Sequence, residues 1–306
     1  MRILVLGAGG TGGYFGGRLA EAGGDVTFLV RPKRAALLAE RGLRIKSEAG
    51  DATLAVKTVT AETLSGHWDL VILSCKAYDL ADAIASITPA VGPDTVVLPL
   101  LNGMAHYPVL DAAFGHGRVL GGLCHIVVTL GPEGEVLHFG GLHRVTFGER
   151  DGGTSPRTEA IAAALAGAKF DAVHSLDLPQ DTWEKYTFLT AMAGMTCLMR
   201  ASVGAIMATR DGEALTREIY AECCAVAAAA NRAPRPKASA AALAMLTDPS
   251  SSVTASMLRD LEAGGSTEGE HIIGDMLERA RAAGLDAPLL RVARCHLQAY
   301  EVRRRG

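Results

Sequence analysis

The stretch "RILVLGAGGTGGYFGGRLAEAG", residues 2–23, decides how the N-terminal half of this chain is read. An apolar run without alternation enters Gly7, and an amphipathic segment follows from the next glycines. Continuous apolar runs of this kind belong to strands covered on both faces. Gly7, Gly9 and Gly12 have the spacing GxGxxG, which alone is common. Between a strand and a helix it becomes specific for dinucleotide binding. The glycines then permit the tight turn, the close approach of backbone to a pyrophosphate, and close helix–strand packing. Gly7, Ala8, Gly9, Gly10, Thr11 and Gly12 are therefore the expected phosphate cradle, with the free N–H groups and positive dipole end of the helix turned to the anion.

Further apolar runs follow: "DVTFLV" (25–30), "DLVILSC" (69–75) and "DTVVLPL" (94–100). Between them lie helical patterns, "RAALLAERG" (34–42) closed by Gly42, and others starting near Leu80 and Tyr107. Such alternation predicts a doubly wound parallel sheet of Rossmann type. In residues 118–150 a Pro-Glu-Gly turn and a Gly-Gly pair between β-rich runs predict an antiparallel extension. From about Thr182 the strand signals stop, and alanine-rich helices are expected over 182–200, about 211–231, 237–246, 252–263, 267–284 and 287–303. The junction falls in "DAVHSLDLPQD" (171–181). The expected organisation is α/β: a nucleotide-binding domain over 1–175, an all-α domain over 176–306, and a ligand cleft between them.

Bulk properties restrict the function. A chain of 306 residues accommodates two ordinary domains, and 49% apolar against 21% charged residues is a soluble balance. A net charge of -3 gives no reason to expect nucleic acid or an anionic membrane as partner. The six cysteines are scattered without CxxC or zinc-like spacing, so they read as reduced thiols of a cytoplasmic protein with no metal site. The N-terminus carries no signal-peptide pattern, and the longest uncharged apolar run, Tyr186 to Met199, is 14 residues, too short to span a bilayer. The alanine-rich helices are compatible with a homodimer face, although alanine also simply favours helix.

The cofactor type is read after the second strand, where NAD-specific sites place an acid for the ribose hydroxyls. Here the strand ends in Arg31, with Lys33 and Arg34 beyond it and no acid, which favours the 2′-phosphate of NADP(H). Lys76 and Asn102 follow two other strands at their carboxyl ends, where open α/β sheets bind ligands. Lys185 stands near the start of "DTWEKYTFLTAMAGMTCLM" (181–199), a segment otherwise apolar around most of its circumference. A buried ammonium is costly unless it is paired or used.

Taken in order, "GAGGTG", "SCKAYD" with Lys76, "LLNGM" with Asn102, "WEKY" with Lys185, and "TASMLRDLEAGGSTEGEHIIG" with Ser256 and Glu268 resemble the ketopantoate reductase (2-dehydropantoate 2-reductase) family across the whole chain. The resemblance implies NADPH-dependent reduction of 2-dehydropantoate to pantoate, a step toward coenzyme A. It implies Lys185 as general acid, Glu268 as the group that orients that lysine or holds the substrate hydroxyl, Asn102 as contact to substrate and nicotinamide amide, and Ser256 as donor to the 2-oxo acid carboxylate. No role attaches to Glu270 or His271. Where the family usually has asparagines four and eight residues after the lysine, this chain has Leu189 and Ala193. Two alternatives therefore stand beside ketopantoate. One is a paralogue acting on another, more apolar 2-oxo acid or ketone, or on a hydroxy acid in the oxidative direction. The other is an NADP-binding sensor without turnover.

Overall fold

The computed structural model describes residues 1–305. The chain forms two compact units, one of Met1–Leu101 with Tyr107–Leu178, the other of Asn102–His106 with Pro179 onward. The single division expected near residue 175 thus misses a short excursion. Residues 102–106 follow the last strand of the parallel sheet yet belong with the helices, because Met104 packs on the helical core and His106 meets His271.

In the first unit five parallel strands lie in the order β5-β2-β1-β6-β7. They are β1 (Arg2–Leu6), β2 (Asp25–Leu29), β5 (Lys57–Val59), β6 (Leu70–Leu73) and β7 (Val96–Pro99). Ile3 pairs with Val26 and with Leu70 on either side of β1. Successive side chains point to opposite faces of a sheet, which accounts for the unbroken apolar runs. Ile3, Val5, Leu70, Ile72, Val96 and Leu98 enter one core, whereas Leu4, Val71, Leu73 and Val97 enter another. Helix α1 (Gly10–Glu21) and α2 (Pro32–Arg41) contribute Phe15, Leu19 and Leu38 to the first; α3 (Leu80–Ile87) and α4 (His106–Phe114) contribute Leu80, Ile87 and Leu110 to the second.

A second sheet is built round the long strand β9 (Val136–Gly148), which pairs antiparallel with β8 (Gly121–Leu130) along one edge. Its other edge is shared: β3 (Leu43–Ser47) pairs with its start and β10 (Asp171–His174) with its end, both parallel, and β4 (Ala52–Leu54) adds to β3. The Pro-Glu-Gly turn does join β8 to β9. Gly140 and Gly141 do not separate two strands, however. They lie inside β9, where the pairing slips between Ile126/His143 and Val127/Phe139 and Gly140 takes φ +73°. This is a bulge, one of the roles glycine plays inside strands. Helix α1 runs between the two sheets, and its glycines make the room: a Cβ on Gly16 would fall 2.8 Å from the Phe28 ring, and one on Gly17 would fall 2.7 Å from Ile45. Helix α5 (Pro156–Leu165), capped by Ser155, packs Ile161 and Leu165 into the same core.

The second unit is helical. It comprises α6 (Leu178–Met199), α7 (Val203–Met207), α8 (Gly212–Ala229), α9 (Pro236–Leu246), α10 (Ser256–Glu262), α11 (Asp275–Ala282) and α12 (Pro288–Arg305). The expected helix over 267–284 is instead a π-helical turn, Glu270–Gly274, leading into α11. Its core gathers Tyr186, Met192, Met195, Ile219, Cys223, Leu258, Ile273, Met276 and Leu290. None of the six cysteines is in a disulfide, and burial pushes the Cys197 thiol up to about 12, so it packs as an inert small hydrophobe. Among the described residues no helix is long and apolar enough to cross a membrane, and no cluster of side chains suits a metal ion.

Candidate active site

The glycine loop is shaped by backbone geometry. Gly7 sits at φ +85° and its N–H donates to Leu29 O at 2.9 Å, tying the loop to the end of β2. A residue with a Cβ would be strained there. Gly12 meets a second constraint: a Cβ on it would collide with Ser74 Oγ and Gly7 O, so a side chain would lever α1 off the loop. Ser74 is itself fixed, donating to Leu6 O at 2.9 Å. No side chain caps the N-terminus of α1 and its first turn holds no acid, which leaves the terminal N–H groups and the dipole for an anionic ligand.

Of the three cations after β2, Arg31 and Lys33 are exposed, with Arg31 directly preceding α2. Arg34 differs. Its guanidinium donates to Ala8 O and to Gly134 O, each at 2.7 Å, and so clamps the glycine loop to the β8–β9 turn. Sequence reading placed Arg34 in a basic group; the structure shows it engaged with backbone. Lys76 lies half-buried three residues beyond β6, just ahead of the 3-10 turn Ala77–Asp79. These residues fit a dinucleotide: an uncapped helix end, a loop too close to the helix for side chains, and a cation where an acid would otherwise mark NAD.

In the helical unit, the opening of α6 is anchored residue by residue. Glu184 accepts from Arg235 Nε at 2.7 Å, from Arg235 N at 2.9 Å and from Gln180 Nε2 at 3.1 Å. Burial alone would raise the Glu184 carboxyl, but the Arg235 contacts outweigh it and hold it below the usual range. Tyr186 is enclosed and its hydroxyl lies 2.8 Å from both Ile272 O and Asp275 Oδ2. Burial first, then the Asp275 charge, keep that phenol from ionising. Between these two anchors Lys185 is left half-buried, and its ammonium donates to Asn102 Oδ1 at 3.0 Å.

The structure therefore brings together Lys185 and Asn102, which are 83 positions apart in the chain. Glu268 belongs to the same unit, 6% exposed just ahead of the π turn, where its carbonyl accepts from Ile272 N–H at 3.0 Å. Ser256 is the first residue of α10, half-buried. Leu189 lies one turn beyond Lys185 and is half-buried, whereas Ala193 is 1% exposed within the core. The second of the two positions is thus packing, and the first remains on the lysine's face.

Two histidines that sequence reasoning passed over stand beside this group. His271 Nε2 is 3.4 Å from His106 Nδ1, with the rings stacked 5.5 Å apart at 19°. His271 also hydrogen-bonds the Asn102 backbone and feels the Glu268 carboxylate. Burial nevertheless holds its pKa below the ordinary imidazole value, so it is neutral at pH 7. The two histidines lie 165 positions apart, and no local pattern signals such a pair. Glu270, by contrast, is engaged with Arg294 and Gln298.

Comparison with known proteins covers both units. The family profile described as "Ketopantoate reductase PanE/ApbA" matches residues 3–152, and its C-terminal counterpart matches residues 177–301. The chain is 40% identical to the uncharacterized oxidoreductase YkpB of Bacillus subtilis (strain 168) over 301 residues, 98% of this chain and 99% of the relative. It is 27% identical to a 2-dehydropantoate 2-reductase of Halobacterium salinarum over 293 residues, 95% of this chain and 96% of the relative. Among solved structures, the 2-dehydropantoate 2-reductase from Methylococcus capsulatus superposes with a TM-score of 0.88 at 29% identity, covering 100% of this chain and 98% of the other.

Proposed function

The chain belongs to the ketopantoate reductase family and is a nicotinamide-dependent oxidoreductase, and on that premise we propose that it reduces the ketone of a 2-oxo acid with NADPH, ketopantoate being the first candidate. The observation that carries the reading is the Lys185–Asn102 contact at 3.0 Å, in the unit that also holds the buried carboxylate Glu268. In this reading residues 1–175 carry the cofactor and residues 176–306, with Asn102, carry substrate and catalysis.

When bound, the nicotinamide supplies the hydride. The protein's own work lies elsewhere. Gly7 to Gly12 and the start of α1 hold the pyrophosphate, Arg31 meets the 2′-phosphate, and Lys76 lies within the cofactor surroundings. Negative charge gathers on the substrate oxygen as its carbon is reduced, and a preorganised cation or proton donor there lowers the barrier. Lys185 fills that role as general acid: its ammonium is aimed by Asn102, while Glu268 offsets the cost of desolvating it. Ser256 donates to the substrate carboxylate.

A second substrate reading has its own support. Leu189, half-buried on the lysine's face, offers no hydrogen bond to a substrate hydroxyl. A site that hydrogen-bonds its substrate discriminates strongly and an apolar one weakly. A branched or aromatic 2-oxo acid would suit such a wall. The test is kcat/KM for ketopantoate and for such acids, with wild type and Leu189→Asn. If Leu189 sets the wall, the substitution shifts the ratio toward ketopantoate by about tenfold, the effect of one added hydrogen bond of ~1.4 kcal/mol. An unchanged ratio would remove Leu189 from the substrate site.

A further inference from the structure

The five residues Asn102–His106 leave the parallel sheet's unit and join the helical one, and Asn102 is the group that meets Lys185. What holds them there is concentrated on one side chain. Gly103 sits at φ +77° with the His271 ring against it: a Cβ there would stand 3.2 Å from His271 Cδ2 and 3.5 Å from Nε2. The His271 ring donates to the Asn102 backbone, a contact that favours the protonated ring. His106, fully enclosed, faces His271 Nε2 at 3.4 Å.

We propose that His271 is a positioning residue of the active site: its ring, packed against Gly103 and facing the Asn102 backbone and His106, pins the Asn102–His106 turn to the helical unit so that Asn102 Oδ1 meets the Lys185 ammonium. The inference rests on the reading of Lys185 as the proton donor, and adds the device that aims it.

An imidazole–imidazole contact needs one ring nitrogen to donate and the other to accept. The charged surroundings are mixed: burial, the largest effect, favours the neutral ring, whereas Glu268, Asp275 and the Asn102 backbone favour the cation, Asp275 being already shared with the Tyr186 hydroxyl from α6 and with Arg279 of α11 at 2.8 Å. The pin is one of shape and hydrogen bonding, so it does not depend on the ring titrating. Misplacing a catalytic contact by about 1 Å can cost on the order of 100-fold in rate, so a loosened turn is visible in turnover.

The experiment compares wild type, His271→Gln and His271→Ala near neutral pH. Glutamine keeps a donor and an acceptor near the ring's edge, and alanine keeps neither. Turnover of the accepted 2-oxo acid, NADPH binding, and hydrogen exchange of residues 102–106, corrected for intrinsic rate, are read on each. His271→Ala should lose roughly 100-fold in kcat together with the protection of 102–106, with NADPH binding unchanged. His271→Gln should recover most of that loss along with the protection. An alanine variant that keeps the wild-type kcat, one that loses it with 102–106 still protected, or a glutamine variant no better than alanine overturns the proposal. Should wild type reduce no 2-oxo acid, the functional reading fails, and the exchange data alone then decide whether His271 holds the turn.

Discussion

Lys185 illustrates how a costly residue is placed. Its neighbours in the sequence are spent on fixing the helix: Glu184 on Arg235 and Gln180, Tyr186 on Ile272 and Asp275. The lysine between them is turned to the amide of Asn102, 83 positions away in the chain. Arg31 invites a similar argument at the cofactor end. It is exposed, follows β2, and stands where an acid would select NAD. Arg31→Ala should raise KM for NADPH by about tenfold, the worth of one charge-assisted contact of ~1.5 kcal/mol, and leave KM for NADH nearly unchanged. Steady-state kinetics with both cofactors checks this, and equal effects on the two would assign Arg31 no part in cofactor choice.

At the scale of elements, each unit's candidate residues depend on where one helix begins. Helix α1 starts uncapped against a glycine loop that Arg34 clamps to the β8–β9 turn. Helix α6 is held to the π turn 270–274 by the Tyr186 hydroxyl. π turns interrupt regular helices and are frequent at functional sites; here the turn carries His271 and follows Glu268. Tyr186→Phe removes the donor and leaves Ile272 O and Asp275 short of one partner. A loss of about 1–3 kcal/mol in unfolding free energy is expected, read by urea denaturation, together with a lower kcat as the turn loosens. A variant as stable and as active as wild type would show that the hydroxyl does not tie the two elements.

The whole molecule carries the sum of its titrations. His271 has a folded pKa below the ordinary 6.5, so the folded state binds fewer protons than the unfolded one as pH falls through that value, and stability declines. Arg157 holds Glu149 below the ordinary 4.5, and Arg235 does the same for Glu184 against the effect of burial. Their contribution is present above 4.5 and is lost as pH falls toward their folded values. The urea midpoint should therefore drop first below about pH 6.5 and more steeply below about 4.5, and the first of these steps should be smaller in His271→Gln, the rest coming from His143, which burial also holds below the ordinary imidazole value. A midpoint flat from pH 7 to 5 would contradict the account of His271.

Much of this architecture was legible in the sequence, and the parts that were not have physical reasons. Strands β1, β2, β6 and β7 announce themselves because both faces are buried. β5 is three residues at the sheet's edge, β4 is three residues long, and β3 and β10 are short, partly charged strands, so no apolar run marks them. The Gly140–Gly141 pair looked like a break because a bulge and a turn use the same residue. The glycine loop could be read because its chemistry is local. The meeting of Lys185 with Asn102 needed the family resemblance to suggest it and the fold to show it. The His106–His271 pair and the Arg34 clamp had no signal short of the three-dimensional structure.

The central claim is tested most directly by following NADPH oxidation spectrophotometrically with ketopantoate and with branched and aromatic 2-oxo acids, using wild type and Lys185→Ala, each first shown to bind NADPH. The account predicts turnover of at least one of these acids by wild type, and a fall of about 10²–10⁴-fold in kcat for the variant, the range for loss of a general acid, with NADPH affinity retained. Wild type that binds NADPH yet reduces none of them, or a variant that reduces them as fast as wild type, would contradict it.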